Sequence, residues 1–280
     1  MRARITAVAA LLLLLLAQPA QAAISFVGSA VGSSSPNTGT TVTLPGGMAA
    51  NDLIVVVAGV GDTANNGMAA PTEGGYTDAL GASLYANDVN DTNLNLYFKY
   101  HNGTDTTVSF AAVGGANASN AAVVMVFRGV ALEADGGPGD GTAPATVTGI
   151  NTSDADPPSL DHTGAAGAWT VIVATTGHTG GATAAFTFPT GYTTNAAQRA
   201  HNDTIDVLVG MGYNTAPLDP ENPGAFTAAN IGTATDNGWA AVTVVLKEAT
   251  APPAGVGPGD DNDDEFEDSS VRPPMFMRPL

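Results

Sequence analysis

Short apolar stretches separated by Gly, Asn, Asp and Pro recur along the chain after its N-terminal segment. In Leu94–Tyr100 and Val207–Tyr213, apolar residues alternate with polar or small ones, which predicts strands with one buried and one solvated face. Leu53–Ala58 and Ala121–Phe127 are almost continuously apolar, which predicts central strands covered on both faces. Helix-forming patterns are nearly absent from this part of the chain, so the sequence predicts an all-β fold.

The second half of this pattern repeats the first. Shifting the chain by 116 residues, from Thr41 to Pro157, aligns Thr41–Thr77 with Pro157–Thr193 without a gap. Matched positions include Val55 with Val171, Gly61 with Gly177, Tyr76 with Tyr192, Phe127 with Leu246, and Leu94, Leu96, Phe98 and Tyr100 with Val207, Val209, Met211 and Tyr213. The ordered series favours internal duplication over chance similarity in a chain rich in small residues.

The duplication defines the predicted domain, residues 23–248, with repeat units at about 24–130 and 145–248. We expect a two-sheet antiparallel jelly-roll-like sandwich in which the two units are related by approximate twofold symmetry. The alternative is two tandem small β-sandwiches. The connection between the units contains a further predicted strand at Ala145–Ile150, so it does not read as a flexible linker.

Several local patterns resemble a jelly-roll-like sandwich found in phage virion proteins and in secreted bacterial proteins of unassigned function. The residues that carry the resemblance are Asn51–Ala58, Tyr97–Asn102, Phe127–Val130, Pro189–Tyr192 and Trp239–Val242. The resemblance covers about residues 24–248 and implies a fold used in assembly or surface attachment. It transfers no active-site residue.

The first 22 residues have the features of a cleavable secretory signal. Arg2 and Arg4 precede an apolar run that includes Leu11–Leu16, and Ala20-Gln21-Ala22 provides the small residues of a cleavage site. The run is shorter than the ~20 residues that a membrane-spanning helix needs. We therefore expect a bacterial protein that is secreted or held at the cell surface, without a membrane span once the signal is removed.

Charge and cysteine content narrow the range of partners and of stabilising features. The chain has 26 acidic and 8 basic residues and a formal net charge of −18. Nucleic acid and anionic membrane surfaces would be repelled by such a chain and are not expected partners. The chain contains no cysteine, so its stability has to come from a large core.

Residues 249–280 differ in composition from the rest and are predicted to form a disordered tail. Ala251–Gly259 is rich in Pro and Gly, and Asp260–Asp268 is almost wholly acidic. The end is apolar again, and its predicted docking residues are Met275, Phe276, Met277 and Leu280. We expect association with a protein partner or with other copies of the chain, through this tail and through strand edges. The alternative for the tail is a spacer that only aids solubility.

One loop gathers oxygen-bearing side chains and is the candidate metal site. Its residues are Asp88, Asn90, Asp91 and Asn93. Calcium takes six to eight oxygen ligands from flexible loops, so it is the one cofactor to consider, with Asp135 and Asp140 as a smaller second group. The spacing differs from that of an EF-hand, and solvated turn residues are the alternative.

Signatures of catalysis are missing from the sequence. The four histidines, His101, His162, His178 and His201, form no metal-binding pair and are expected to be loop residues. There is no Gly-x-Ser-x-Gly elbow and no phosphate-binding loop. Glycoside hydrolysis needs only two facing carboxylates, which a sequence alone does not reveal. The sequence therefore predicts a protein that is not an enzyme, with a glycoside hydrolase as the third alternative.

The leading interpretation is a secreted structural or interaction protein, a surface, filament or virion-like assembly module without catalysis. A carbohydrate-binding module is the first alternative, because aromatic rings can stack on a glycan. The rings available are those of Trp169, Trp239, Tyr76, Tyr85 and Tyr192. Since Tyr76 and Tyr192 occupy equivalent repeat positions, we expect both to serve the core or a sheet corner.

Overall fold

The computed structural model describes the chain between residues 23 and 249, with gaps. The described ranges are 23–34, 38–62, 64–113, 118–132, 143–150, 154–162, 167–179, 183–200, 205–232 and 236–249. The predicted signal, the tail from residue 250 with Met275, Phe276, Met277 and Leu280, and also Asp135, Asp140 and His201 lie outside these ranges. The predictions made for them stay predictions.

Sixteen strands form within the described ranges. In the first half they are β1 (Ser25–Ser34), β2 (Thr40–Thr43), β3 (Leu53–Asp62), β4 (Thr77–Asp78), β5 (Leu84–Ala86), β6 (Asp91–Tyr100), β7 (Thr107–Phe110) and β8 (Ser119–Arg128). In the second half they are β9 (Ala145–Ile150), β10 (Asp154–Ala155), β11 (Trp169–His178), β12 (Ala185–Thr187), β13 (Thr193–Ala200), β14 (Asp206–Asn214), β15 (Phe226–Ala229) and β16 (Gly238–Leu246). The same ranges hold no helix of the length and apolarity that a bilayer crossing requires.

The first half folds as a jelly roll. Strands at equal distance from its two ends pair antiparallel: β1 with β8, β2 with β7, and β3 with β6. Because β3 also pairs with β8, these strands form one large sheet of order β1-β8-β3-β6-β4, with β5 also on β6. A long hairpin rolled over itself gives this order and leaves β2 and β7 as a separate small sheet.

The second half repeats this topology. β9 pairs with β16, β10 with β15, and β11 with both β14 and β16. Its large sheet has the order β9-β16-β11-β14-β13, and its small sheet consists of β10, β15 and β12. The edges differ, because β13 runs continuously along β14 where the first half has only the two short strands β4 and β5. The predicted all-β, jelly-roll-like sandwich with an internal duplication is confirmed.

The two large sheets pack face to face and share one apolar core. Val55 and Phe127 of the first half meet Val171 and Leu246 of the second in a single buried cluster. β1 lies beside β13, and β5 lies beside β9, so the two sheets run in opposite order, as approximate twofold symmetry requires. Val55 and Val171, and likewise Phe127 and Leu246, therefore occupy matched places in the core. The alignment of β6 with β14 is wrong by two residues, because Val55 pairs with Phe98 whereas Val171 pairs with Tyr213.

Each large sheet is also covered on its outer face, so the sandwich has four layers where the sequence led us to expect two. Val42 of β2 packs on Ile54 of β3, and Phe226 of β15 packs on Ile172 of β11. The predicted two-sheet sandwich corresponds to the central pair of large sheets. The alternative of two small sandwiches corresponds to the large and small sheets within each half. The structure combines them because a continuously apolar strand such as β3 has to be covered on both faces.

Two equivalent glycines allow the large sheets to approach each other closely. A Cβ atom on Gly61 of β3 would lie 2.5 Å from the backbone oxygen of Asp206. A Cβ atom on Gly177 of β11 would lie equally close to the backbone oxygen of Asp91. The repeat therefore preserves glycine where a side chain would force the sheets apart.

Strands β6 and β14 are buried on both faces over most of their length, which corrects the prediction that one face is solvated. Asn93 and Asn95 of β6 are 0 % and 5 % exposed. The alternation of residue types records the polarity of each face, but it does not show that a neighbouring segment covers the polar one. Here the segment 64–70 lies over these two side chains.

Candidate functional site

The acidic part of the predicted calcium cluster lies at the turn that leads into β6. Asp91 accepts hydrogen bonds from the backbone N–H of Asp88 at 2.6 Å and from the Tyr85 hydroxyl at 2.5 Å. Burial and the hydrogen bond to Asp91 raise the pKa of Tyr85 to about 12. Both carboxylate oxygens of Asp91 are thus engaged by groups of the protein itself.

The amides of the predicted cluster point to different neighbours. Asn90 donates to the side-chain oxygen of Asn237 at 2.9 Å, and Asn93 donates to the backbone oxygen of Ala64 at 3.2 Å. Within the described ranges, no group of three or more His, Asp or Glu side chains is placed to hold a metal ion. The structure therefore brings the four residues to one turn without converging their oxygens, and calcium binding stays a prediction.

The two tryptophans belong to the packing of the molecule. Trp169 stacks on Tyr213 with ring centroids 5.3 Å apart and meets the ring of Phe127 edge-on. Trp239 is buried in the second half's outer core, where Gly149 leaves room for its indole. Neither ring provides an open stacking platform for a glycan.

Tyr76 and Tyr192 occupy equivalent corners, as expected, but their hydroxyls have different surroundings. The Tyr192 hydroxyl donates to the carboxylate of Glu221 at 2.5 Å, and burial together with this hydrogen bond raises its pKa. The Tyr76 hydroxyl is buried with no hydrogen-bond partner among the described residues, and the Lys99 amine lies 5.2 Å from the ring centre. Burial, followed by the nearby carboxylates, raises the pKa of Tyr76.

The prediction of loop histidines holds for His101 and His162 and is wrong for His178. The first two lie in loops, and their ring nitrogens contact backbone oxygens. His178 is the last residue of β11, and its Nδ1 lies 3.8 Å from the carboxylate of Asp206. Both side chains are at most 2 % exposed, so they lie in the contact between the large sheets, where a solute cannot reach them.

Polar residues fill one end of the contact between the two large sheets. His178 occupies the repeat position of Asp62, the last residue of β3, and both are buried. Thr92 of β6 donates to the hydroxyl of Thr175 of β11 across the contact at 3.2 Å. This end of the core is therefore a network that joins the halves, and sequence reasoning missed it because the strand register alone creates it.

The outer edges of β1 and β9 are open, since no described strand pairs with them. Neither strand contains a charged residue. Val31 of β1 is 43 % exposed, and Ile150 of β9 is 48 % exposed. β1 lies beside β13 and β9 beside β5, so the two open edges are on opposite sides of the central sandwich.

A groove of about 410 Å³ opens on the outer side of β6, and we call it the polar groove. Its lining residues include Asn65, Met68, Asp78, Ser83 and Asn95. It forms because β4 ends at Asp78 and β5 begins at Leu84, so the outer edge of β6 has no strand partner at Asn95, whose other edge pairs with β3. The Asp78 side chain accepts the backbone N–H groups of Leu80 and Gly81 and so turns the chain away from β6.

The floor of the polar groove contains a buried polar atom without a partner. The side-chain oxygen of Asn95 makes no hydrogen bond to any described residue. Beside it, the Tyr97 hydroxyl donates to the backbone oxygen of Met68 at 2.5 Å. Burial, with a contribution from the Asp78 carboxylate, raises the pKa of Tyr97 to about 12.

The second half has a groove of about 300 Å³ at the equivalent place, and we call it the apolar groove. It is lined by Ala184, Phe186, Ala197 and Leu208, among others. The repeat alignment matched Leu208 with Asn95, but the strand register corrects this by two residues, since Asn95 pairs with Ala58 as Gly210 pairs with Ala174. The contrast between Asn95 and Gly210 emerges only once this register is known, so the sequence alignment did not reveal the polar groove.

Comparisons with protein-family models, with curated protein sequences and with solved structures found no match to this chain.

Proposed function

We propose that this chain is an exported, non-catalytic structural protein whose copies assemble through the open edges of its two large sheets. The observation that carries the proposal is the pair of uncharged edge strands, β1 and β9, on opposite sides of the molecule. A strand edge presents unpaired N–H and C=O groups, to which a strand of a second copy can add.

The charge distribution supports a second copy as the occupant of these edges. Copies of a chain with a net charge of −18 repel one another over most of their surface. Folded proteins usually protect exposed edges with charged residues or proline. β1 is ten residues long and has neither, and its register is regular from Gly28 to Ser34. The edges are therefore the places where two such acidic molecules approach each other with least repulsion.

Two edges on opposite sides make each molecule bivalent, which suits a filament or a surface layer. The resemblance to virion and secreted jelly-roll proteins, the predicted secretory signal and the predicted docking residues at the C-terminus agree with this role. They are independent of the edge argument, because none of them involves β1 or β9.

The experiment measures self-association of the full chain recovered after export. We expect sedimentation velocity to show oligomers that grow with concentration, and we expect the double variant Val31→Asp/Ile150→Asp to stay monomeric. The matched control is Leu218→Asp, which also replaces an exposed apolar side chain, 74 % exposed, but lies in a loop. A monomeric wild-type chain, or a double variant that assembles as well as the control, contradicts the proposal.

A further inference from the structure

The floor of the polar groove contains a buried polar side chain, which distinguishes the groove from a simple surface depression. Asn95 is 5 % exposed, and its side-chain oxygen lacks a partner among the described residues. Burying such a group is unfavourable unless something pairs with it, so unpaired buried polar atoms are rare in folded proteins. A ligand that donates a hydrogen bond into the groove would satisfy it.

The second half shows that the fold does not require a polar residue at this place. Ala58 pairs with Asn95, and the equivalent Ala174 pairs with Gly210, so Gly210 of β14 holds the place of Asn95. The rings of Phe186 and Phe226 fill the space above Gly210, where a Cβ atom would lie 2.8 Å from Phe186. The adjoining segments correspond as well, since Met68 aligns with Ala184 and both line their grooves. Apolar side chains therefore fill this place in the second half, and Asn95 puts a polar side chain there in the half whose groove is polar.

The groups around the polar groove define the chemistry of its ligand. Asn65, Ser83 and Asn95 provide neutral donors and acceptors, and Asp78 provides a carboxylate that accepts hydrogen bonds. None of the described lining residues is basic, so an anionic ligand would be repelled by the Asp78 carboxylate and would find no positive charge to offset this repulsion. One carboxylate is too few for a calcium ion, which takes six to eight oxygens. A neutral molecule with several hydroxyl groups matches this set.

We propose that the polar groove binds a neutral carbohydrate, with Asn95 and Asp78 accepting hydrogen bonds from its hydroxyl groups. Ala69 and Ala70, which are exposed beside the buried Met68, provide apolar contact for the C–H face of a sugar ring. The volume of the groove, about 410 Å³, falls within the ~300–1,000 Å³ typical of small-molecule sites. This site is separate from the strand edges and does not depend on assembly.

Gly67 keeps the groove open. A Cβ atom at this position would lie 2.5 Å from the Cβ of Ser83 and 2.6 Å from the side-chain oxygen of Asn95. Replacement by alanine would therefore place a methyl group against the atom that the ligand contacts. Gly46 provides a matched control, since a Cβ atom there would meet nothing within 4 Å.

The test uses an array of immobilised neutral and uronic-acid oligosaccharides, followed by titration calorimetry with the neutral sugar that is retained best. We expect retention of at least one neutral sugar and of no uronic-acid sugar. Gly67→Ala and Asn95→Leu should each weaken binding about tenfold or more, because the first blocks the Asn95 oxygen with a methyl group and the second removes that oxygen. Asn65→Ala, at an exposed position, should weaken it without any effect on folding. Gly46→Ala should bind as the wild type does.

Several outcomes overturn this proposal. They are the absence of binding to every neutral sugar on the array, retention of uronic-acid sugars alone, or titrations in which Gly67→Ala and Asn65→Ala bind as well as Gly46→Ala. The double variant Val31→Asp/Ile150→Asp should bind the sugar with unchanged affinity. That result separates a failure of the sugar site from a failure of the assembly proposal.

Discussion

The two halves of the molecule share a topology but differ in the groove beside the outer face of β6 and β14. In the second half, β13 pairs along β14 with one register shift, and the rings of Phe186 and Phe226 lie over Gly210, the register equivalent of Asn95. In the first half, the corresponding edge is interrupted between Asp78 and Leu84, and Asn95 lies beneath the opening. The second half thus shows what the jelly roll alone requires, and the first half shows what has been added to it.

The halves also differ where their large sheets end. Asp52, directly before β3, receives two hydrogen bonds from the Arg128 guanidinium at 2.8 Å each. The equivalent positions in the second half are Ala168 and Lys247, so this ion pair has no counterpart there. Because it lies next to the entry into the central strand, it fixes that end of the first half only. The differences between the halves are therefore polar, while their cores are alike.

The largest effect is expected from a charge placed in the shared core. Val55 and Val171 occupy equivalent places in one cluster, so Val55→Asp and Val171→Asp should each unfold both halves together. An unpaired buried carboxylate costs several kcal/mol, which is comparable with a total stability of about 5–15 kcal/mol. The measurement is urea denaturation followed by circular dichroism, with Val31→Asp as the exposed control. If either variant unfolds one half while the other stays folded, the core is not shared.

The equivalent glycines provide the next comparison. Gly61→Ala and Gly177→Ala should each lower the free energy of unfolding by about 1–3 kcal/mol, because a methyl group at either site meets backbone of the opposite sheet. Gly46→Ala should stay within about 0.5 kcal/mol of the wild type. Chemical denaturation of the three variants provides the values. Effects that differ strongly between the two sheet glycines would contradict the twofold arrangement.

The two corner tyrosines should respond differently to the same change. Tyr192→Phe removes the donor to the buried carboxylate of Glu221 and should destabilise the protein by about 1.5–3 kcal/mol. Tyr76→Phe removes a hydroxyl without a described partner and should be neutral or slightly stabilising. Paired thermal melts compare the two variants. Equal losses at the two corners would show that the Tyr76 hydroxyl is also satisfied in solution.

The smallest effect concerns the ion pair that only the first half has. Burial alone would raise the pKa of Asp52, but hydrogen bonds from Arg128 and from the backbone of Ala49 outweigh it and hold the pKa below 3.8. A lowered pKa in the folded state means that the stabilisation is present above the unfolded value and is lost as the pH falls through the folded value. The wild type should therefore lose stability as the pH falls below about 3.8, and Asp52→Asn should lose less stability over the same range. Unfolding titrations between pH 2 and pH 6 would measure this, and identical profiles would contradict it.

Much of the fold could be predicted from the sequence because it depends on local periodicity. Continuous apolar runs placed β3 and β8 at the centre of a sheet, and the repeat alignment placed Val55 and Val171 in one core. The short outer strands could not be predicted in this way. β10 has two residues and β12 has three, so neither is long enough to show an alternation, and their pairing depends on distant parts of the chain.

The polar groove could not be predicted for a related reason. Asn93 and Asn95 alternate with leucines, which gave the expectation of a solvated face, whereas the segment 64–70 covers them. Coverage by a segment without periodicity is a tertiary effect that alternation does not report. The calcium cluster shows the converse, because four oxygen-bearing residues close in sequence turn to different partners once the strand is formed.

The most direct test of the comparison reverses the polarity of one buried lining residue in each groove, Asn95 in the polar groove and Leu208 in the apolar groove. If Asn95 is an addition that the fold does not need, Asn95→Leu should raise the free energy of unfolding by about 1 kcal/mol, because an unpaired buried amide oxygen is removed. Leu208→Asn should lower it by about 2–4 kcal/mol, because it buries a polar group in an apolar groove. Urea denaturation of both variants beside the wild type is the measurement. A loss of stability in Asn95→Leu as large as that in Leu208→Asn would contradict the account, since Asn95 would then belong to the framework that both halves need.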